Sequence, residues 1–178
     1  MSEQPPLIVS TQEGYDRWSE IYDDEANPLI LLEQAELSSI LGDISGLSVV
    51  DLGCGTGRVS RQLAEAGALV TAVDFSTGML EKAKARSQNI TFTEHDLKKP
   101  LPFDDEQFDA VVSCLALEHV QTLNQSMREI TRICRTGGFV LVTAMHPAMN
   151  LKGAQARFID PESGRRICPE SAYHDVSD

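Results

Sequence analysis

Long apolar runs are absent from this sequence of 178 residues: stretches such as Val140–Val142, with Ala144 and Met145 close behind, fall far short of a bilayer span. Basic residues are scarce, since 15 Lys and Arg face 27 Asp and Glu for a net charge of −12. Residues 1–45 hold ten of the acids and a single base, Arg17. A chain without a basic stripe repels a polyanion and lacks the counterion-release term, which disfavours nucleic acid and anionic membranes as partners. Cysteines are few and never close together: Cys54, Cys114, Cys134 and Cys168 are 60, 20 and 34 residues apart. With no C-x-x-C pair, that spacing excludes a zinc ribbon and suggests no disulfide framework. All four read as thiols in a reducing compartment. The start, Met1-Ser2-Glu3-Gln4-Pro5-Pro6, has neither a basic nor an apolar leader region, so the expected location is cytoplasmic. Repeats and low-complexity tracts are missing too.

What remains, 42% hydrophobic and 24% charged residues, describes one globular unit of ordinary size. Thr11 to Asp24 predicts a short helix. Asn27-Pro28 supplies an N-cap and an N1 proline for a second helix, with apolar spacing through Leu41 and a stop at Gly42. Short apolar runs then alternate with helical stretches. Strands are predicted at Leu47–Leu52, Leu69–Val73, Ile90–Thr93, Phe108–Ser113 and Gly138–Ala144. Helices fall at Thr56–Ala66, at Ser76–Ser87 behind a serine cap, and at Asn124–Arg135. This alternation describes βαβ units, hence an α/β fold with a Rossmann-like, doubly wound parallel sheet covered on both faces. Three segments are expected: residues 1–45 as a helical cap, 46–146 as the binding core, and 147–178, with Pro147, Pro161 and Pro169, as a loop or lid. In such sheets ligands bind beyond the carboxyl ends of the strands. The positions to inspect are therefore Asp51–Gly57, Asp74–Phe75, Asp96, Ser113–Leu115 and His146.

The segment Val49-Val50-Asp51-Leu52-Gly53-Cys54-Gly55-Thr56-Gly57 carries the strongest signal. Its glycines permit a sharp strand-to-helix turn and let a ligand lie against the main chain. Asp74 follows Asp51 by 23 residues, at the end of the next strand, where a carboxylate accepts hydrogen bonds from both ribose hydroxyls of a nucleoside. The dinucleotide fingerprint is G-x-G-x-x-G; here the third glycine comes one residue early. Asp51 would also repel a pyrophosphate and attract an ammonium. Both points favour an adenosine joined to a positively charged amino-acid end over a nicotinamide dinucleotide.

These residues resemble motif I of the class I S-adenosylmethionine-dependent methyltransferases, in particular the small-molecule group related to the ubiquinone-biosynthesis enzymes (methyltransferase type 11). The likeness runs from Tyr15 to His146 and includes Asp74-Phe75-Ser76, Met79-Leu80, His95-Asp96-Leu97, Leu101-Pro102-Phe103, Phe108-Asp109, Leu117-Glu118-His119-Val120 and Gly137-Gly138. It implies that Gly53, Cys54, Gly55, Thr56 and Gly57 surround the methionine portion of S-adenosylmethionine, with Asp51 near its ammonium group. It further implies that Asp74 holds the ribose, that Phe75 and Met79 pack on ribose and adenine, and that Asp96 accepts from the adenine amino group with Leu97 against the ring. Ser113, Cys114 and Leu115 would form the floor, and Tyr22 would reach the ligand from the N-terminal cap. No metal is implied.

The implied activity is methyl transfer to O, N or C of a small-molecule acceptor, and the competing expectation is a cofactor-binding module without catalysis. An activated methyl group needs alignment more than acid–base machinery. His119 and His146 are the candidates for a proton acceptor. The relatives often carry His-His where this chain has Glu118-His119. The family's sheet usually has seven strands, and Tyr173–Asp178 resembles the point where its next helix begins. With five predicted strands, the expectation is either a truncated chain or an edge at Gly138–Ala144 covered by the tail or by a second copy, of which a homodimer is preferred.

Overall fold

The computed structural model describes residues 5–172 and 174. In chain order the elements are β1 (Leu7–Val9), α1 (Thr11–Trp18), a 3-10 turn (Tyr22–Asp24), α2 (Pro28–Leu41), β2 (Ser48–Leu52), α3 (Arg58–Glu65), β3 (Leu69–Asp74), α4 (Thr77–Arg86), β4 (Thr91–Glu94) and β5 (Phe108–Cys114). A second 3-10 turn (Leu117–His119), α5 (Leu123–Ile133), β6 (Cys134–Thr143), α6 (Pro147–Leu151), β7 (Phe158–Ile159) and β8 (Arg166–Pro169) follow.

Five strands form one parallel sheet in the order β4-β3-β2-β5-β6. The strand order reverses between β2 and β5, which opens a crevice at their carboxyl ends. Alternation along β2 divides the core. Val49 joins Leu37, Leu63, Leu80 and Val112 on one face, while Val50 and Leu52 join Phe108, Val111, Ile130 and Ile133 on the other. Asp51 follows the Val49 face and so points toward α3, where Ser60 meets it.

Helix ends follow the local chemistry. Asn27 Oδ1 accepts from Leu29 N at 3.0 Å to open α2, and Ser76 Oγ accepts from Met79 N at 3.1 Å to open α4. The first predicted helix is shorter than expected. α1 ends at Trp18, and the chain resumes as the 3-10 turn that carries Tyr22. α5 starts one residue before Asn124, which therefore lies inside the helix rather than capping it.

The tail is not the loop that its prolines suggested. β7 and β8 form an antiparallel pair, and β8 runs parallel to β1, giving a separate three-stranded sheet in the order β1-β8-β7. Ile167 of β8 is fully buried with Val9, Trp18, Met79 and Phe158. Pro169 closes β8 and packs so near α1 that a Cβ on Gly14 would lie 2.6 Å from its Cγ. Strands of three, two and four residues are too short to show a period of two. Because the tail pairs with β1, it does not cover β6, and no strand among the described residues pairs with the outer side of β6. The expected helix start at Tyr173–Asp178 lies outside the described residues, His174 excepted.

Candidate functional site

The loop after β2 is fixed by glycines with different duties. Gly53, Gly55 and Gly57 have φ of 79°, 54° and 79°. A Cβ on Gly53 would lie 2.3 Å from Ala116 Cβ, and one on Gly57 3.1 Å from Ala83 Cβ. At Gly55 a Cβ would meet nothing within 4 Å. The outer glycines therefore allow close packing, and the middle one faces open space. Val73 O accepts from both Gly53 N (2.8 Å) and Cys54 N (2.9 Å), tying the loop to β3.

Asp74 ends β3 beneath that loop. Its Oδ2 accepts from Gly55 N at 2.8 Å and its Oδ1 from Ser76 N at 2.9 Å. Each oxygen keeps a second lone pair, as a partner with two neighbouring hydroxyls requires. Burial raises its pKa, against the lowering effect of the Ser76, Gly55 and Phe75 amides.

A cavity of about 480 Å³ opens above these strand ends. Its wall contains Tyr22, Asp51, Gly53, Cys54, Gly55, Thr56, Asp74, Phe75, Met79, Asp96, Leu97 and Cys114, all of which the sequence singles out. Gly57 is not in the wall, because its Cα turns toward Ala83 and Phe92. Ser113 is not there either: fully buried, it donates from Oγ to Leu52 O at 2.9 Å and ties β5 to β2. His146 follows the edge strand β6, outside the wall, and its Nδ1 accepts from Ala148 N at 3.1 Å. His119 does line the cavity. Among the described residues, no group of three or more His, Cys, Asp or Glu is placed to hold a metal ion.

The wall's electrostatics follow from burial. Asp51, 1% exposed, accepts from Ser60 Oγ at 2.5 Å on Oδ2, whereas its Oδ1 is buried without a partner. Burial raises its pKa to about 6, against the pull of Ser60 and Arg58. Burial likewise pushes the Cys54 and Cys114 thiols up, so both stay uncharged at neutral pH. Glu118 Oε2 is buried without a partner, and burial, with Glu33 nearby, raises this carboxyl to about 7.

Two groups that the sequence did not place in roles stand out. Tyr15 Oη lies 2.8 Å from His119 Nε2, with the rings edge-on at 5.1 Å. His119 Nδ1 faces Glu170 O at 3.1 Å. A carbonyl only accepts, so Nδ1 carries the proton and Nε2 accepts from Tyr15. Burial lowers the His119 pKa, which keeps the ring neutral at pH 7. Arg58 is the other group. It opens α3 directly after the glycine loop, and its Nη2 pairs with Glu33 Oε2 of α2. Glu33 Oε1 accepts from Thr143 Oγ1 of β6. The signal for Arg58 was its place, the first helical residue beyond the third glycine.

A Rossmann-like sheet with a glycine turn beside a ribose-competent acid defines a nucleoside-binding class. Within that class, residues 50–142 match the methyltransferase domain family. An uncharacterized methyltransferase of Emericella nidulans is 32% identical over 94% of this chain and 72% of its own length. The crystal structure of an S-adenosylmethionine-dependent methyltransferase from Mesorhizobium loti superposes with a TM-score of 0.64 at 34% identity, covering 79% of this chain and 65% of that one. A complex of DhpI with SAM and HEP gives a TM-score of 0.70 at 25% identity, over 92% of this chain and 80% of that one. The chain belongs to the S-adenosylmethionine-dependent methyltransferase family. It spans about half the length, 45% to 59%, of demethylmenaquinone and malonyl-[acyl-carrier protein] methyltransferases that it also matches. The site's own features suit this cofactor: an orphaned carboxylate oxygen on Asp51 for an ammonium, open space over Gly55, and free lone pairs on Asp74.

Proposed function

We propose that this chain binds S-adenosylmethionine in the 480 Å³ cavity and methylates O, N or C of a small-molecule acceptor there. The observation that carries the reading is Asp51 Oδ1, a buried and unpartnered carboxylate oxygen in the wall beside Asp74. It would meet an ammonium group and would repel the pyrophosphate of a dinucleotide. Asp74 takes the ribose hydroxyls. Phe75 and Met79 pack against ribose and adenine, Asp96 takes the adenine amino group, and Leu97 lies against the ring. Tyr22, Cys54, Thr56 and Cys114 complete the enclosure, while Gly57 acts from behind by holding the turn.

When bound, the cofactor supplies a methyl group activated on a sulfonium. The protein's part is to hold the acceptor in line, to exclude water, and to receive a proton where the acceptor loses one. His119 is the group in the wall suited to that last task, because its neutral Nε2 already accepts from Tyr15 Oη. The proton would pass by way of Tyr15. His146, outside the wall, has no part in this reading.

Isothermal titration with S-adenosylhomocysteine and with NAD tests the cofactor: heat with the first and none with the second is expected, and the reverse would refute it. Turnover separates an enzyme from a silent binding module. The panel should include phenols, amines and quinol precursors, and malonyl esters are added because malonyl-[acyl-carrier protein] O-methyltransferases are among the relatives. The outer side of β6, without a partner strand among the described residues and with Phe139 and Val140 each more than a third exposed, favours association of two copies along that edge. Sedimentation should show a dimer that tightens with salt, as screening reduces repulsion between two chains of charge −12. A monomer at high micromolar concentration in both low and high salt would exclude it.

A further inference from the structure

The small sheet delivers the chain to the histidine of the cavity wall. Three consecutive residues after β8 each reach the 3-10 turn that carries His119. Glu170 O faces His119 Nδ1 at 3.1 Å, Ser171 Oγ lies 3.3 Å from the same nitrogen, and Ala172 N donates to Glu118 O at 2.8 Å. Glu170 is itself tied down from the other end of the chain. Its carbonyl accepts from the buried Thr11 Oγ1 at 2.9 Å, and its N donates to Val9 O at 3.0 Å. The ring of His119 is therefore held on its Nδ1 side by the tail and on its Nε2 side by Tyr15, 2.8 Å away.

A neutral imidazole has two tautomers, and only the one with its proton on Nδ1 leaves Nε2 able to accept from Tyr15. Glu170 O can only accept, so it selects that tautomer, and Ser171 Oγ offers the same proton a second acceptor. When Nε2 receives a proton by way of Tyr15, the ring becomes a cation and its Nδ1–H bond to the carbonyl becomes charge-assisted. In keeping with this, the Glu170 carbonyl raises the His119 pKa, against burial and Lys98, which lower it. We propose that Ser171 and Thr11 are positioning residues for His119: they fix the Glu170–Ser171 step so that Nδ1 keeps its proton and Nε2 stays open toward Tyr15. This rests on the reading of His119 as proton acceptor given above. It gives the small sheet a part in the reaction, through a tail whose packing decides which histidine nitrogen is basic.

Long-range proton–nitrogen NMR correlation of the full, isotope-labelled chain reads the tautomer directly, and the spectrum of His119→Gln identifies the His119 signals. Wild type is expected to show the proton on Nδ1 alone. Thr11→Val combined with Ser171→Ala removes both hydroxyls with little change of shape, and its His119 nitrogen shifts should converge toward the average of two tautomers. Ser171→Thr, which keeps the hydroxyl, should keep the wild-type signature. On a hydroxyl or amine acceptor that wild type methylates, the double variant should lose about tenfold in kcat, the range of a charge-assisted hydrogen bond, with KM and S-adenosylhomocysteine affinity unchanged. A proton on Nε2 in wild type, or a double variant that keeps the wild-type tautomer, overturns the proposal. A double variant that loses the tautomer yet keeps kcat overturns the proton-acceptor reading of His119, and the positioning role with it, while the tautomer assignment stands.

Discussion

Cofactor affinity should depend on pH through Asp51, and the structure sets the size of the effect. This carboxyl is 1% exposed, and burial raises its pKa to about 6. Ser60 and Arg58 oppose the rise, while Asp74 and Glu33 add to it. Only the ionised form can hold an ammonium, so below pH 6 binding must first remove a proton. At pH 5 about one molecule in eleven is ionised, which weakens binding about tenfold, or about 1.4 kcal/mol, relative to neutral pH. Titration with S-adenosylhomocysteine from pH 5 to 8 should show affinity rising about tenfold per unit below pH 6 and levelling off above 7. Asp51→Asn should bind more weakly at pH 7.5 and lose the slope. A flat profile in wild type, or an equal slope in Asp51→Asn, would refute the reasoning. The same residue acts on stability with a definite sign. Its folded pKa lies above the ordinary 3.8, so the folded state holds the proton between about pH 4 and 6. Its favourable contribution is complete below pH 4 and is lost as pH rises through 6, about 3 kcal/mol in all.

Other substitutions separate packing from binding. Gly53→Ala drives a methyl group to 2.3 Å from Ala116 at a φ of 79° and should destabilise the fold by about 1–3 kcal/mol in urea unfolding. Gly55→Val projects into open space at a φ of 54° that a β-branched residue resists, so by blocking the ligand and straining the turn it should weaken S-adenosylhomocysteine binding at least tenfold; normal binding would remove the loop from the site. Ile167→Ala in β8 empties a fully buried position and should cost about 2–5 kcal/mol; a loss below 1 kcal/mol would mean that the tail sheet is only loosely attached.

The inner strands β2, β3 and β5 are legible in the sequence as largely apolar, buried runs, the pattern of strands covered on both faces, whereas the edge strands β4 and β6 show through β-branched residues and the Phe139–Val142 run. The small sheet is not legible. Leu7–Val9 and Phe158–Ile159 are too short for any periodicity, and the pairing of β1 with β8 spans nearly the whole chain. Site residues set by strand ends, such as Asp51, Asp74 and Asp96, can be read from order along the chain. His146 looked equivalent to them, but it follows the outermost strand β6, whereas the crevice opens between β2 and β5. Arg58 and Tyr15 were hidden for another reason. Their roles depend on long-range partners, Glu33 and His119, that spacing along the chain does not reveal.

The central claim is that the cavity beneath the glycine loop is the cofactor site, and Asp74 is its most direct witness. Asp74→Ala removes the acceptor of two charge-assisted hydrogen bonds to ribose, worth about 1.5–3 kcal/mol each. Isothermal titration of S-adenosylhomocysteine into the folded variant should show a dissociation constant at least tenfold above that of wild type. An unchanged constant with the fold intact would contradict the account.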